Sequence, residues 1–406
     1  MLRSLYSGIS GLRSHQAMLD VTGNNIANVN TTGFKSSAAQ FQDTLSQLTS
    51  GAGAPQGEVG GTNPAQIGLG VQVAGIATNF SQGSSQATGK STDLLISGDG
   101  LFITQKGGET FYTRAGSFDF DSAGRLVTAD GSIVQGWGAQ NGVVSDGGPT
   151  SNITLPVGAI VGATASENAA FQGNLPSDVA DGTELKRDFV VFDELGASST
   201  VTLTFTRDFD PAALPAATDG WTVTDPASGS SVYLQSDAGT FSVQNSAADP
   251  TEAIFRVKGN TVTIDLSALE GYANLSTVAG TATDGNAAGT LNSYTLSADG
   301  TLVGLFSNGE QLAIGRIALA NFVNPGGLEK AGGSSYRATF NSGAPTVGTA
   351  GSAGLGTLSS GALEMSNVDL SQEFTNLIVA QRGFQANARI ITTSDEVLQE
   401  LTNLKR

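Results

Sequence analysis

The sequence predicts an α+β protein. Terminal heptad helices form a coiled-coil-like inner domain, and two mainly β outer domains follow, one a β insertion nested in a discontinuous β domain. Three observations predict this. Both ends lack proline, the first being Pro55 and the last Pro345, as long helices require. Apolar residues at both ends recur in steps of three and four. Between them lies a Gly-, Ser-, Thr- and Asp-rich chain with short period-two runs, the pattern of strands between turns.

At the N-terminus Leu2, Leu5, Ile9, Leu12, Gln16, Leu19, Gly23 and Ile26 mark a heptad seam. Gly8, Gly11 and Gly23 each weaken that helix by about 1 kcal/mol relative to Ala. It is therefore expected to be marginal alone and to gain order by packing. In the middle, VTLTFT sets Val201, Leu203 and Phe205 on one face, and TVTIDL does the same with Val262, Ile264 and Leu266. WTVT begins at Trp221. No internal repeat stands out. At the C-terminus Leu370, Phe374, Leu377, Gln381, Phe384, Ala388, Ile391, Asp395 and Leu398 form the stripe, and Leu401 and Leu404 continue it. Asp369 followed by Gln372 resembles a capping box, so the helix is expected to start at Leu370. Run to the terminus, it spans about 36 residues and about 54 Å.

Composition excludes several chemistries. The 406 residues contain no cysteine and one histidine. Disulfides, thiolate nucleophiles, Cys-based zinc sites and multi-His metal sites are therefore out of reach. The formal charge of -17 argues against a nucleic-acid partner, which favours a basic face. That charge is uneven: residues 147–287 carry about -12, while each end lies within about two charges of neutral. A concentrated negative charge reads as a solvated outer surface. No run of about 18 apolar residues suggests a membrane span. Arg3, Ser4, Ser7 and Arg13 interrupt the apolar stretch that a cleavable signal peptide needs.

Candidate sites for chemistry fall away one by one. In GSSQATGKS, five residues separate Gly83 from Gly89 where a phosphate loop has four, and TDLLIS after it reads as a strand rather than a helix. In DFDSAGRLVTAD, Asp119, Asp121, Gly124 and Asp130 occupy calcium-loop positions, but Ala123 offers no side-chain oxygen and the last ligand is not Glu. A hairpin is the expected structure there. His15 lies far in sequence from any activated serine, and no carboxylate pair stands out. No enzymatic activity, cofactor or metal is expected.

The terminal motifs resemble one family closely, that of bacterial flagellar rod and hook axial proteins. In residues 10–37 the resemblance rests on Asn24-Asn25-Ile26-Ala27-Asn28, Asn30-Thr31 and Gly33-Phe34-Lys35. In residues 366–404 it rests on Ser366-Asn367-Val368-Asp369-Leu370, Gln381-Arg382, Phe384, Ala386-Asn387 and Thr393. YTRAGSFDFDSAGRLVTADGSIVQGW at 112–137 and Ile314-Gly315-Arg316-Ile317 are similar to segments these proteins share. About half the chain is covered. Within that family rod members are shorter and lack a large central acidic β domain, so the resemblance, taken with this length and insertion, implies a member of the hook type.

That resemblance implies a structural subunit of a curved tubular homopolymer, a universal joint passing torque from motor and rod to filament. A distal rod protein of the same family is the alternative. A secreted β-rich adhesin fits the acidic middle but not the ends. The implied domains are 1–35 with 363–406 (inner helical), 36–70 (connecting), 71–146 with 288–362 (middle β) and 147–287 (outer β). The implied partners are further copies of the chain, rod and hook–filament junction proteins, and the hook cap and type III export apparatus during assembly. Neither nucleic acid nor membrane insertion is implied. The implied location is the extracellular hook, reached without a cleaved signal peptide. The expected assembly interface comprises Leu5, Ile9, Leu12, Leu19, Ile26, Asn28, Asn30, Gly33, Phe34, Leu370, Phe374, Leu377, Gln381, Phe384, Asn387, Ile391, Leu398 and Leu401. Within it the Asn- and Gly-rich ANVNTTGFK is expected to turn the chain sharply, with Phe34 as an apolar anchor and Lys35 polar.

Overall fold

The computed structural model describes residues 2–55, 57, 60–140, 142–156, 158, 160–208, 219–226, 229–237, 239–243, 252–257, 260–352 and 354–403. The chain forms two compact units. One comprises residues 1–155, 295–303 and 312–406, the other residues 156–294 and 304–311.

The first unit begins and ends in helices, α1 (Leu2–Ala27) and α2 (Leu370–Asn403). Asp369 caps α2: its Oδ1 accepts from the N–H groups of Ser371 at 2.8 Å and Gln372 at 3.2 Å. That satisfies two of the donors a helix start leaves open. The two helices pack antiparallel, with Gly8 against Ile391, Gly11 against Asn387 and His15 against Gly383. On α1 these close approaches lie beside the leucine row, whereas on α2 they include Ile391 of its stripe. A Cβ at Gly11 would lie 2.8 Å from the Asn387 amide, and one at Gly383 would lie 2.5 Å from the His15 ring. Glycine at these points lets the helices approach where larger side chains would hold them apart. The residues that weaken an isolated α1 are thus part of its packing surface. A Cβ at Gly23 would meet nothing within 4 Å beyond its own helix backbone.

The other side of α1 packs on a two-stranded ribbon. β1 (Ser37–Asp43) pairs antiparallel with β4 (Val71–Thr78), and β2 (Ser46–Ser50) with β3 (Ala65–Gly68) extends the ribbon outward. Residues 36–70, read from the sequence as a connection, thus contain three strands. The Val71 N–H donates to Ser10 Oγ at 3.2 Å, and the His15 and Phe41 rings lie 6.3 Å apart.

Beyond the ribbon is a β body. β5 (Ser85–Ala87) pairs with Ala362–Glu364, and β6 (Leu94–Ser97) pairs with Thr357–Ser360. These two pairings bring the returning chain beside the outgoing one. β7 (Leu101–Lys106) and β8 (Glu109–Thr113) form a hairpin. β9 (Phe118–Phe120) and β10 (Leu126–Thr128) form the hairpin expected at 119–130, and Asp121 Oδ1 accepts from the N–H groups of Ala123 and Arg125 within its turn. β11 (Ile133–Gln140) lies between β7 and the strand Gln311–Asn321. The core of this body includes Leu101, Ile103, Trp137 and Tyr336, with Tyr112 edge-to-face on Phe322 at 4.8 Å.

The second unit is built on a largely antiparallel sheet. Its strand order is Glu184–Phe192, Ser198–Arg207, Asp219–Thr224, Ser231–Asp237, Thr240–Val243, Asn260–Glu270, Asn168–Asn174 and Ala279–Thr283. Neighbours are antiparallel except Asn168–Asn174 with Asn260–Glu270, which are parallel. The sequence alternation sets the inward face: Val201, Leu203, Phe205, Val262, Ile264 and Leu266 are all buried, around a fully buried Trp221.

Candidate functional site: the junction of the two chain ends

The residues after α1 turn the chain into the β body. Asn28 closes the helix end. Its amide donates to the Asn24 carbonyl at 2.9 Å and to Asn24 Oδ1 at 2.6 Å, and its own Oδ1 accepts from Thr31 Oγ1 at 3.1 Å. Gly33 then takes φ +68°, and a Cβ there would lie 2.7 Å from Ala115 Cα. Both the angle and the approach call for glycine. Its N–H donates to the Glu364 carbonyl at 2.8 Å, the first direct tie between the two ends of the chain. Phe34 is half-buried, with the Lys330 ammonium 5.1 Å from its ring centre.

Lys35 is not a polar surface residue; it is 1% exposed. Its ammonium donates to Glu364 Oε1 at 2.7 Å and to the Ser81 carbonyl at 2.7 Å. Glu364 Oε1 also accepts the Gly83 N–H at 2.8 Å, and its Oε2 receives Arg114 Nε. Arg114 spends its remaining donors on the carbonyls of Ile96, Gly98 and Gly100. Two buried cations therefore face one buried carboxylate, and backbone oxygens absorb the surplus positive charge. Burial works against the Glu364 carboxylate, but the Arg114 charge and the bonds from Lys35, Arg114 and Gly83 outweigh it and hold its carboxyl below the usual range. Burial pulls the Lys35 ammonium below its ordinary value, against its bond to Glu364.

Two asparagines complete the junction. Asn25, 1% exposed, donates to the Ser37 carbonyl at 2.7 Å and accepts the Ser37 N–H at 3.0 Å. Its amide also reaches Glu373 Oε1 at 3.0 Å, so one side chain links α1, β1 and α2. Asn367 accepts the Ser36 N–H at 2.8 Å and donates to the Asn79 carbonyl at 2.8 Å. This arrangement holds three chain segments in fixed register and presents no catalytic constellation. No cluster of metal-ligating side chains occurs among the described residues.

The expected interface residues divide by position. Gly33 is buried, and Leu5, Ile9, Leu12, Leu19, Ile26, Asn28 and Phe34 are half-buried around α1 and its end, with Asn30 exposed. On α2, Leu377, Phe384, Asn387, Ile391 and Leu398 are half-buried, whereas Leu370, Phe374 and Gln381 are exposed. The side chain of Leu401, and all of Leu404, lie outside the described residues. Sequence reasoning did not find the Lys35–Glu364–Arg114 cluster. Its one available signal was a charge inside an apolar strand pattern, as in Leu363-Glu364-Met365, in a chain only 14% charged.

Three family models match the chain: flagella basal body rod protein over residues 5–35, flagellar hook protein FlgE/F/G D1 domain over 95–168, and flagellar basal body rod FlgEFG protein C-terminal over 359–404. The flagellar hook protein FlgE of Borreliella burgdorferi is 40% identical and that of Treponema pallidum 38%, each alignment covering 100% of both chains. The flagellar basal-body rod protein FlgG of Bacillus subtilis is 34% identical, also over 100% of both chains. A crystal structure of the Helicobacter pylori flagellar hook protein FlgE2 is similar in fold, with a TM-score of 0.50 and 13% identity, covering 69% of this chain and 100% of that one.

Proposed function

The chain belongs to the flagellar hook protein FlgE family, and from that premise we propose that it is the structural subunit of a bacterial flagellar hook. In this reading many copies assemble into a curved tube that passes torque from motor and rod to filament. The observation that carries it is the junction itself. A mechanical subunit needs both ends held in one rigid body, and the buried Lys35–Glu364–Arg114 cluster with Asn25 and Asn367 supplies that. Such hydrogen-bonded buried charges specify one arrangement of the segments they join.

The remaining parts of the reading follow from exposure and charge. Leu370, Phe374 and Ile378 on one side of α2, and Val379, Ile390 and Val397 on another, are between 40% and 56% exposed, apolar surface suited to neighbouring copies. The interface on α1 and α2 is assigned to inter-subunit packing along the tube axis, lining the channel. The acidic 147–287 segment is assigned to the solvated outer surface. Rod, junction and cap proteins are the proposed partners, and the flagellar type III apparatus is the proposed export route. No helix among the described residues is long and apolar enough to cross a membrane.

Electron microscopy of the full-length chain under salting-out conditions tests the reading. Short curved tubes are expected; monomers or amorphous aggregate would overturn it. The likeness to FlgG of Bacillus subtilis favours one second reading, a distal rod subunit, and straight tubes would select that instead.

A further inference from the structure

The buried cluster at the junction holds one cation more than it holds carboxylates, because Lys35 and Arg114 share Glu364. Both cations are deeply buried, at 1% and 5% exposure. A buried charge is costly unless it is paired. The carbonyl oxygens around Arg114 and Lys35 stabilise the surplus as dipoles but carry no net charge to cancel it. Lys35 also has bonding capacity left. An ammonium has three N–H donors, and among the described residues Lys35 Nζ reaches two acceptors, Glu364 Oε1 and the Ser81 carbonyl.

Lys35 and Arg114 both line a cavity of about 210 Å³. Asn321 lines it as well. Its Oδ1 accepts the Phe322 N–H at 2.8 Å, and its amide N–H groups have no partner among the described residues. Two buried cations and an amide with donors to give favour an anion. The volume admits a tetrahedral oxyanion with water around it. Asp99 is the exception in this lining. It is exposed, and its carboxylate has no hydrogen-bond partner among the described residues. An ionised carboxylate only accepts. It therefore repels a fully deprotonated anion, but it can bond to one that still carries a proton.

We propose that this cavity binds inorganic phosphate. Lys35 and Asn321 donate to its oxygens, the Arg114 charge attracts it, and Asp99 accepts its remaining proton. At pH 8 the inorganic ion keeps one proton, whereas sulfate and a phosphate monoester keep essentially none. All three are then dianions, so Asp99 selects among them by the proton and not by charge. The bound ion offsets the surplus positive charge of the cluster. It also links the segment before β7 and the end of the strand Gln311–Asn321 to the residues that join the two chain ends. Phosphate thus acts as a removable brace on the junction of a single chain, whether or not that chain polymerises.

Calorimetric titration of the full-length chain tests this, in a phosphate-free buffer at pH 8 and matched ionic strength. The ligands are inorganic phosphate, sulfate and glycerol phosphate. The formal charge of -17 opposes unspecific uptake of all three alike. Saturable binding of phosphate is expected at one ion per chain. Sulfate and glycerol phosphate should bind at least about tenfold more weakly, because neither supplies the proton that Asp99 accepts. Asp99→Asn is expected to erase that preference, since an amide can donate to any of the three, and Asn321→Ala to weaken phosphate binding. Asp99 is exposed, so Asp99→Asn should melt like wild type without added anion. Phosphate should raise the melting temperature of the wild type. The absence of saturable phosphate binding would overturn the proposal, as would equal affinity of the wild type for the three anions. Phosphate binding that neither variant alters would place the ion elsewhere and overturn it too. Tube formation plays no part in these outcomes, so they stand apart from the test of the hook-subunit reading.

Discussion

Lys35 and Glu364, 329 positions apart in sequence, form a 2.7 Å ion pair in which both side chains are 1% exposed. The pair joins the segment leaving α1 to the strand leading into α2. Breaking a buried pair by removing one member leaves an uncompensated charge and costs about 3–5 kcal/mol. The losses here are not symmetric. Glu364→Ala strands two cations, Lys35 and Arg114, whereas Lys35→Met leaves Glu364 with Arg114 and the Gly83 N–H. Urea denaturation of the full-length variants is expected to rank Glu364→Ala below Lys35→Met, with both well below wild type. Equal stability of Glu364→Ala and wild type would show that the cluster does not hold the ends together.

Two glycines of the same motif region are expected to respond oppositely to alanine. Gly33 has φ +68° and closely approaches Ala115, so Gly33→Ala incurs strain of about 1–3 kcal/mol before any steric shift. Gly23 lies in α1 with nothing beyond its own helix backbone within 4 Å of where an alanine methyl would sit, so Gly23→Ala gains about 1 kcal/mol of helix propensity. Thermal unfolding checks both. A stabilised Gly33→Ala would contradict the turn geometry.

How much of this was legible depends on range. The start of α2 could be read because the Asp369 cap and the N–H groups it serves lie within three residues. Strands such as 201–206 could be read because alternation is local. The helix stripes were visible, and Asn387 and Ile391 among the expected residues do meet α1, but the glycine contacts were not: Gly8, Gly11 and Gly383 matter for what a Cβ would strike on the other helix, information a single stripe lacks. The buried cluster was hidden for the same reason, since its members come from three distant segments. The 44–70 ribbon was missed because its Gly- and Ser-rich strands are exposed on both faces, so no apolar alternation marks them.

Acid is expected to loosen the junction. The folded pKa of Glu364 is lowered, so its contribution is present above the ordinary carboxylate value of about 4.3 and is lost as pH falls through the folded value. Asp130 follows the same sign, held at about 2 despite burial by its bonds from Thr128, Lys106 and Ser132. Unfolding midpoints measured between neutral pH and pH 2 should therefore fall steadily for the wild type. The slope should be shallower for Glu364→Gln, which starts less stable and no longer titrates there. Parallel slopes for the two proteins would remove Glu364 from the account.

Assembly and folding should separate at Phe374. Its side chain is 51% exposed on α2, one position along from Glu373, whose carboxylate is tied to Asn25 in the junction. Phe374→Asp therefore removes apolar surface that the single chain does not bury. It leaves every junction hydrogen bond in place, and surface changes of this kind usually move stability by less than about 0.5 kcal/mol. If α2 packs against neighbouring copies, the variant should unfold like wild type yet form few tubes by electron microscopy. If Phe374→Asp polymerises as readily as wild type, the side of α2 that carries Leu370, Phe374 and Ile378 is not an inter-subunit surface. Assembly would then have to rely on contacts elsewhere.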